Sequence, residues 1–370
     1  MSPDRSALTR LREQAAQART LGRYAQAAEW EQQAVALTGA LGLTGARTQA
    51  LLWEGYSLRL AGEAELALAA LLPVVNEAAP TADPADRFSA LIAILHISLE
   101  RKPARFCRAL LEQGRRDLAA WRQPWGALLD FLEGELAFRR GDFTAAWHWH
   151  ERAWAGRRET HPRLTPATHL WALCRTAFRR REPAELERLT RQLTELRPHS
   201  TLERQLVRRA QWLNWRAQRA AAASHVTAEA APVEEARVWL TGAGEEPEAH
   251  DFGARLEALR VLALAGDWAR IDATLRHSPP RPDSFETALC LGDLAVSRAR
   301  AMLKRPAVDD DYDATAVGTA PLAGVDSARM ALGEAESHYR DALRLAADQD
   351  RRLETGWYSD TVSRRLALLG

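Results

Sequence analysis

A short run that could ligate a metal is His148-Trp149-His150-Glu151. Two imidazoles and a carboxylate suit a zinc ion when they converge on one point. On a helix, residues two apart point about 200° away from each other, so one ion does not readily take both histidines. The His-Glu-x-x-His spacing of zinc hydrolases is absent. We therefore expect packing or solvated histidines. Asp309-Asp310-Asp311-Tyr312-Asp313 offers carboxylates to a cation, but a calcium loop also needs Gly at its sixth position and Glu at its twelfth. The run reads as a solvated acidic loop. Cys107, Cys174 and Cys290 are odd in number and far apart, which fits neither a disulfide framework nor a zinc knuckle. Each falls in a helical pattern, where Cys acts as a small hydrophobe. Gly-x-x-x-x-Gly-Lys, Gly-x-Gly-x-x-Gly and Gly-x-Ser-x-Gly are all missing, so no phosphate loop, dinucleotide turn or nucleophile elbow is expected. The expectation is a non-catalytic protein without metal or cofactor.

The arginines carry the other chemistry. Only Lys102 and Lys304 are lysines among the 50 basic residues. A GC-rich bacterial coding sequence accounts for that total, but not for where the arginines fall. Residues 157–219 hold 15 Arg against 6 acids, whereas 229–251 hold 7 acids against one Arg. A net charge of +1 over 370 residues thus conceals a basic middle and an acidic later part. Guanidinium forks pair bidentately with carboxylate or phosphate, and aromatic planes add stacking. With 46% apolar residues the chain is too hydrophobic to be disordered. No stretch of about 18 apolar residues suggests a membrane span, and Met1 to Glu13 lack the apolar core of a signal peptide. A cytoplasmic location is expected.

What positions these residues is a repeat. Leu21-Gly22-Arg23-Tyr24 with Ala27 and Ala34, Ala61-Gly62-Glu63-Ala64 with Ala67, Arg140-Gly141-Asp142-Phe143 with Ala146 and Ala153, and Ala265-Gly266-Asp267-Trp268 align. Turns are expected at Gly22, Gly62, Lys102, Gly141, Glu182 and Gly266, with steps of 40, 40, 39 and 41, then 84. The last step fits two repeats with a degenerate turn near Ala222. Upstream of each turn, apolar residues recur at helical spacing, as in Phe131, Leu132, Leu136 and Phe138. Each copy therefore reads as two antiparallel helices. Gly55 and Gly134 stand seven residues before their turns, where one helix must approach the other closely. No strict two-residue alternation appears, so essentially no sheet is expected. Most of the 13 Trp, such as Trp147, Trp149, Trp154, Trp212 and Trp215, suit packing between helices.

The Gly134…Gly141-Asp142-Phe143…Ala146…Ala153 pattern resembles the tetratricopeptide repeat family. The period is about 40 rather than 34, similar to superhelical repeats of bacterial signal-dependent regulators. Glu31 takes the place of the family's large residue in the second helix. The resemblance implies an all-α, right-handed superhelix (solenoid) of about eight antiparallel helix hairpins with a C-terminal capping helix. The expected divisions are residues 1–220 for the clearer repeats, 221–305 for more degenerate ones, 306–326 for an acidic, small-residue loop, and 327–370 for the last repeat helix and a cap from about Asp350. The resemblance also implies that first helices line a binding groove. Counting back from the turns, its positions are Arg12, Arg19, Tyr56, Arg59, His96, Phe138, Arg139, Arg179, Arg180, Arg209, Trp212, Arg216 and Arg219.

That basic, aromatic-lined groove suits an acidic or C-terminal segment of another protein, which makes the chain a protein–protein scaffold. The acidic run near Asp309 is complementary to the groove and suits an internal lid. A second reading is a peptide- or ligand-responsive regulator using the same groove. A third is nucleic-acid binding through Arg204–Arg219, against which the near-neutral charge and acidic flanks weigh.

Overall fold

The computed structural model describes residues 3–76, 83–121, 125–157, 165–197, 201–221, 230–240, 252–277, 284–303, 326–367 and 369. Among them every regular element is an α-helix. The first six are α1 (Pro3–Thr20), α2 (Tyr24–Ala40), α3 (Thr44–Leu60), α4 (Ala64–Asn76), α5 (Pro84–Arg101) and α6 (Ala104–Trp121). Next come α7 (Gly126–Arg139), α8 (Phe143–Ala155), α9 (Pro166–Arg180), α10 (Pro183–Glu195), α11 (Thr201–Ala221) and α12 (Ala230–Leu240). The last are α13 (Phe252–Ala265), α14 (Trp268–His277), α15 (Phe285–Met302), α16 (Asp326–Leu353) and α17 (Trp357–Leu366). No helix among the described residues is long and apolar enough to cross a membrane. The acidic run 309–313 and most of 306–326 lie outside the described residues, as does the expected turn near Ala222.

The turns explain the period. After α1, α3, α7 and α13 the chain enters the left-handed region at Gly22, Gly62, Gly141 and Gly266. In each, the next amide reaches back five residues: Arg23 to the Ala18 carbonyl, Glu63 to Leu58, Asp142 to Ala137 and Asp267 to Leu262, at 2.9–3.0 Å. This is the Schellman ending, which satisfies carbonyls that a helix end leaves open. Two turns differ from expectation. The residue at φ 59 after α9 is Arg181, one before Glu182, and Glu182 makes the backward bond instead. Lys102 is extended, at φ −108 and ψ 159, ahead of Pro103; proline disfavours a helical residue before it. An unforeseen fifth glycine turn, Gly42 between α2 and α3, has the same bond pattern. Helix starts are marked by side-chain caps: Asp142 accepts from Ala145 N, Thr165 from Thr168 N and Ser284 from Thr287 N.

Most consecutive helices pack against each other, and α3–α5, α9–α11, α11–α13 and α13–α15 also touch. The expected close approaches occur. A Cβ on Gly55 would lie 2.4 Å from Leu71 Cγ, and one on Gly134 2.5 Å from the His150 ring. Ala27, Ala34, Ala67, Ala146 and Ala153 are fully buried. Burying a leucine such as Leu52 or Leu71 contributes about 1.5–3 kcal/mol each.

The chain divides into two compact units, residues 1–132 and 133–370. The division thus falls inside α7. The end of the chain differs from expectation. Asp350 belongs to α16, which continues to Leu353, and α17 is a separate ten-residue helix.

Candidate functional site

Counting back six residues from the left-handed turns reaches Tyr56, Glu135, Arg175 and Arg260; Arg216 stands 41 residues after Arg175. In the second unit the charged members form an ionic row across alternate helices. Arg175 on α9 donates to Glu135 on α7. Arg216 on α11, with no exposed surface, donates to Glu257 on α13. The second oxygen of Glu257 lies 3.5 Å from Arg260, whose guanidinium is 3.9 Å from Asp293 on α15. Asp293 Oδ1 accepts from Arg365 Nε on α17 at 2.7 Å and from the Tyr339 hydroxyl at 2.9 Å. Phe138 and Phe178, three residues after Glu135 and Arg175, carry the guanidinium groups of Arg175 and Arg216 at 4.2 and 4.9 Å. Buried charges are tolerated only when paired and hydrogen-bonded; Glu135, Glu257 and Asp293 each accept a hydrogen bond from an arginine, while Asp293 Oδ2 faces Arg260 at 3.9 Å without a hydrogen bond.

His150 lies against this row, its ring over Gly134 and its Nε2 3.7 Å from Glu135. Burial holds its pKa down to about 3, against the opposing pull of Glu135. Burial opposes ionisation of Glu135 too, but Arg175, His150 and Arg139 together outweigh it and hold the carboxyl at about 2. At neutral pH the trio is thus a carboxylate, a guanidinium and a neutral imidazole. His169, buried against Trp154, is held down to about 4 by burial and by Arg157. His148 is exposed while His150 is buried, as their spacing requires. No group of three or more His, Cys, Asp or Glu among the described residues is placed to hold a metal ion. The three cysteines are buried and free, and burial pushes the Cys174 thiol up to about 12, far from the thiolate that nucleophilic chemistry uses.

At a second, outer set of positions the first unit carries Arg19 and Arg59 and the second unit a row of Arg139, Arg179 and Arg219, all spaced in sequence by multiples of 40 residues with Leu99 at the skipped step. Each is half-buried in the last turn of its helix, where a cation is favoured by the helix dipole. Several lie on aromatic faces: Arg19 on Trp53 at 4.4 Å, Arg59 on Tyr56 at 5.7 Å, Arg179 on Phe178 at 6.0 Å and Arg219 on Trp215 at 5.6 Å. Such stacking keeps a planar guanidinium oriented, and Arg19 also donates to Glu31 at 2.7 Å.

The remaining expected groove positions are mixed. Arg12 is half-buried and donates to the Ala46 carbonyl at 3.0 Å, Tyr56 to Ser89 at 3.3 Å, and His96 is half-buried. Arg180 lies over Trp147 and pairs with Glu182 at 2.8 Å; Arg209 lies over Trp171 at 4.6 Å. Two positions are corrected. Trp212 is fully buried in the apolar core against Trp239, and Arg216 belongs to the inner ionic row. Their helical face is covered by α13, so neither is open to a binding segment. Trp215 is buried as well, which leaves Arg204–Arg219 without the exposed aromatic platform that single-stranded nucleic acid stacks on.

Sequence reasoning did not pick out Arg175, Glu257, Arg260, Asp293, Tyr339 and Arg365 as a network. One signal was available: Gly134-Glu135 and Gly292-Asp293 are the same dipeptide type. Each glycine admits an aromatic ring, His150 or Tyr339, and each acid binds an arginine.

No family model matches the chain, and no curated protein matches it either.

Proposed function

We propose that the chain is a cytoplasmic, non-catalytic interaction protein of tetratricopeptide type, a superhelix of about eight helix hairpins. Its second unit would bind an acidic segment of another protein along Arg139, Arg179 and Arg219. The observation that carries this reading is the outer row. Three arginines stand 40 residues apart on α7, α9 and α11. Arg175 on α9 binds Glu135 on α7, and α9 packs on α11. The charges beneath are already matched by Glu135, Glu257 and Asp293. A row of one sign suits an extended partner of the opposite sign, and arginine favours carboxylate forks.

The test is fluorescence anisotropy with a short Asp/Glu-rich peptide, its Asn/Gln counterpart and single-stranded DNA. Binding of the acidic peptide alone, weakened by salt and reduced at least ~10-fold by combined Arg139→Glu, Arg179→Glu and Arg219→Glu, is the expected result. Equal affinity of wild type and variant would remove the proposal. Binding of DNA in preference to the acidic peptide would replace it with the nucleic-acid reading.

A further inference from the structure

The second unit ends by touching its own beginning. Between α16 and α17 the chain turns in three residues, with Glu354 at φ 54, a left-handed conformation that non-glycine residues seldom adopt. Asp350 holds the bend by accepting from Tyr358 N at 3.0 Å and Ser359 N at 2.8 Å. Helix α17 is then anchored at two places. At the α7–α8 turn, Trp357 sits on Gly141, where an added Cβ would lie 2.3 Å from its Cγ, with Phe143 edge-on at 5.7 Å. Thr355 donates its hydroxyl to the Arg140 carbonyl at 2.8 Å. On α15, Tyr358 meets Phe285 edge-on at 4.8 Å and Arg365 binds Asp293.

We propose that α17 is an exchangeable element: the surface formed by the α7–α8 turn, Phe285 and Asp293 also takes α17 from a second copy of this chain, giving a domain-swapped dimer. Three observations support a second copy as the occupant. The hinge contains no proline, and a right-handed Glu354 would fuse α16 and α17 into one helix over residues 326–366. At 1.5 Å per residue that helix spans roughly 60 Å and carries α17 away from its own unit. Apart from the bonds of the bend itself, from Tyr358 N and Ser359 N to Asp350, the contacts that anchor α17 within one copy are remade between two, which is why swapping is a low-cost route to dimers. Vacating the acceptor also strands no charge, because Asp293 keeps the Tyr339 hydroxyl and Arg260.

Light scattering of the full-length chain across a wide concentration series tests this, using two hinge variants with opposite expected effects. Gly356→Ala favours the straight helix, and its new Cβ meets only Asp360 Oδ2, at 3.9 Å; the dimer dissociation constant should fall about tenfold or more, since two hinges contribute. Glu354→Gly favours the bend and should raise that constant by a similar factor. Adding Trp357→Ala to Gly356→Ala removes a contact that the closed monomer and the swapped dimer share, so the dissociation constant should stay near that of Gly356→Ala. If that double variant loses its folded helical signal, Arg365→Gln in the same background serves instead. A dimer equally populated in both hinge variants, or no dimer with Gly356→Ala at the highest concentration, would overturn the proposal.

Discussion

The two units treat the same helical positions differently. Six residues before its turns the first unit carries Ala16, Tyr56 and His96, of which Tyr56 makes a neutral hydrogen bond to Ser89. The second unit carries Glu135, Arg175 and Arg260 there, joined to Arg216, Glu257 and Asp293. Yet both units keep the outer arginines, Arg19 and Arg59 in one and Arg139, Arg179 and Arg219 in the other. The outer row therefore does not depend on the ionic row beneath it. A second contrast lies nine residues after the turn. Leu71 fills that place after Gly62, but Glu31 does so after Gly22 and His150 after Gly141, both buried. Burial favours the neutral form of each, so it raises the Glu31 pKa, against the pull of Arg19 and Arg12, and lowers that of His150.

The largest expected effect comes from breaking the ionic row. Glu135→Ala leaves Arg175 without its buried acid and should destabilise the second unit by about 3–5 kcal/mol. Tyr56→Phe, at the same position in the first unit, should lose about 1 kcal/mol or less. Chemical denaturation followed by hydrogen exchange within each unit separates the two. Next, Gly134→Ala drives a Cβ into the His150 ring, whereas Gly55→Ala meets the flexible Leu71 side chain. We expect about 2–3 kcal/mol for the first and about 1 kcal/mol for the second. Similar losses at both sites would show that the ring is as free to move as the leucine.

The pH response sharpens the contrast. His150 and His169 have folded-state values below the ordinary 6.5, at about 3 and about 4. Their neutral burial contributes stability in full above pH 6.5 and loses it as pH falls toward 4 and 3. Glu31 and Glu54 are both raised above 4.5, chiefly by burial, with Glu31 adding to the rise at Glu54. A raised acid contributes in full below 4.5 and loses that contribution as pH climbs through its folded value. Acidification from pH 7 to 4.5 should thus weaken the second unit and strengthen the first at Glu31, as read by unit-resolved hydrogen exchange corrected for intrinsic rates. Parallel weakening at the Glu31 and His150 sites would contradict this. The smallest effect is the paired change Arg19→Met with Glu31→Leu, which replaces both partners of the 2.7 Å ion pair by apolar side chains and should change stability by about 1 kcal/mol at most, toward greater stability.

Much of the architecture was legible because turn chemistry is local. Gly22, Gly62, Gly141 and Gly266 announce left-handed helix ends, and Gly55 and Gly134 announce close approach, since nothing larger fits. Arg181 was misplaced by one residue because it adopts that conformation without being glycine. Among candidate site residues, the spacing of 40 found the outer arginines. It could not separate Arg216 from Arg219, three residues apart on one helix. Which of them faces α13 depends on Glu257, supplied by a neighbour 41 residues downstream of Arg216. The same limit hid Arg365, whose partner Asp293 is 72 residues away.

The central claim is that the inner row stabilises the second unit and the outer row binds. It is tested most directly by titrating the acidic peptide into Arg175→Gln and Arg179→Gln, with the thermal transition of each sample recorded alongside. The account predicts that Arg179→Gln weakens binding about 3–10-fold with an unchanged transition, while Arg175→Gln lowers the transition and leaves the affinity of the folded protein intact. Loss of affinity in Arg175→Gln with wild-type affinity in Arg179→Gln would contradict it.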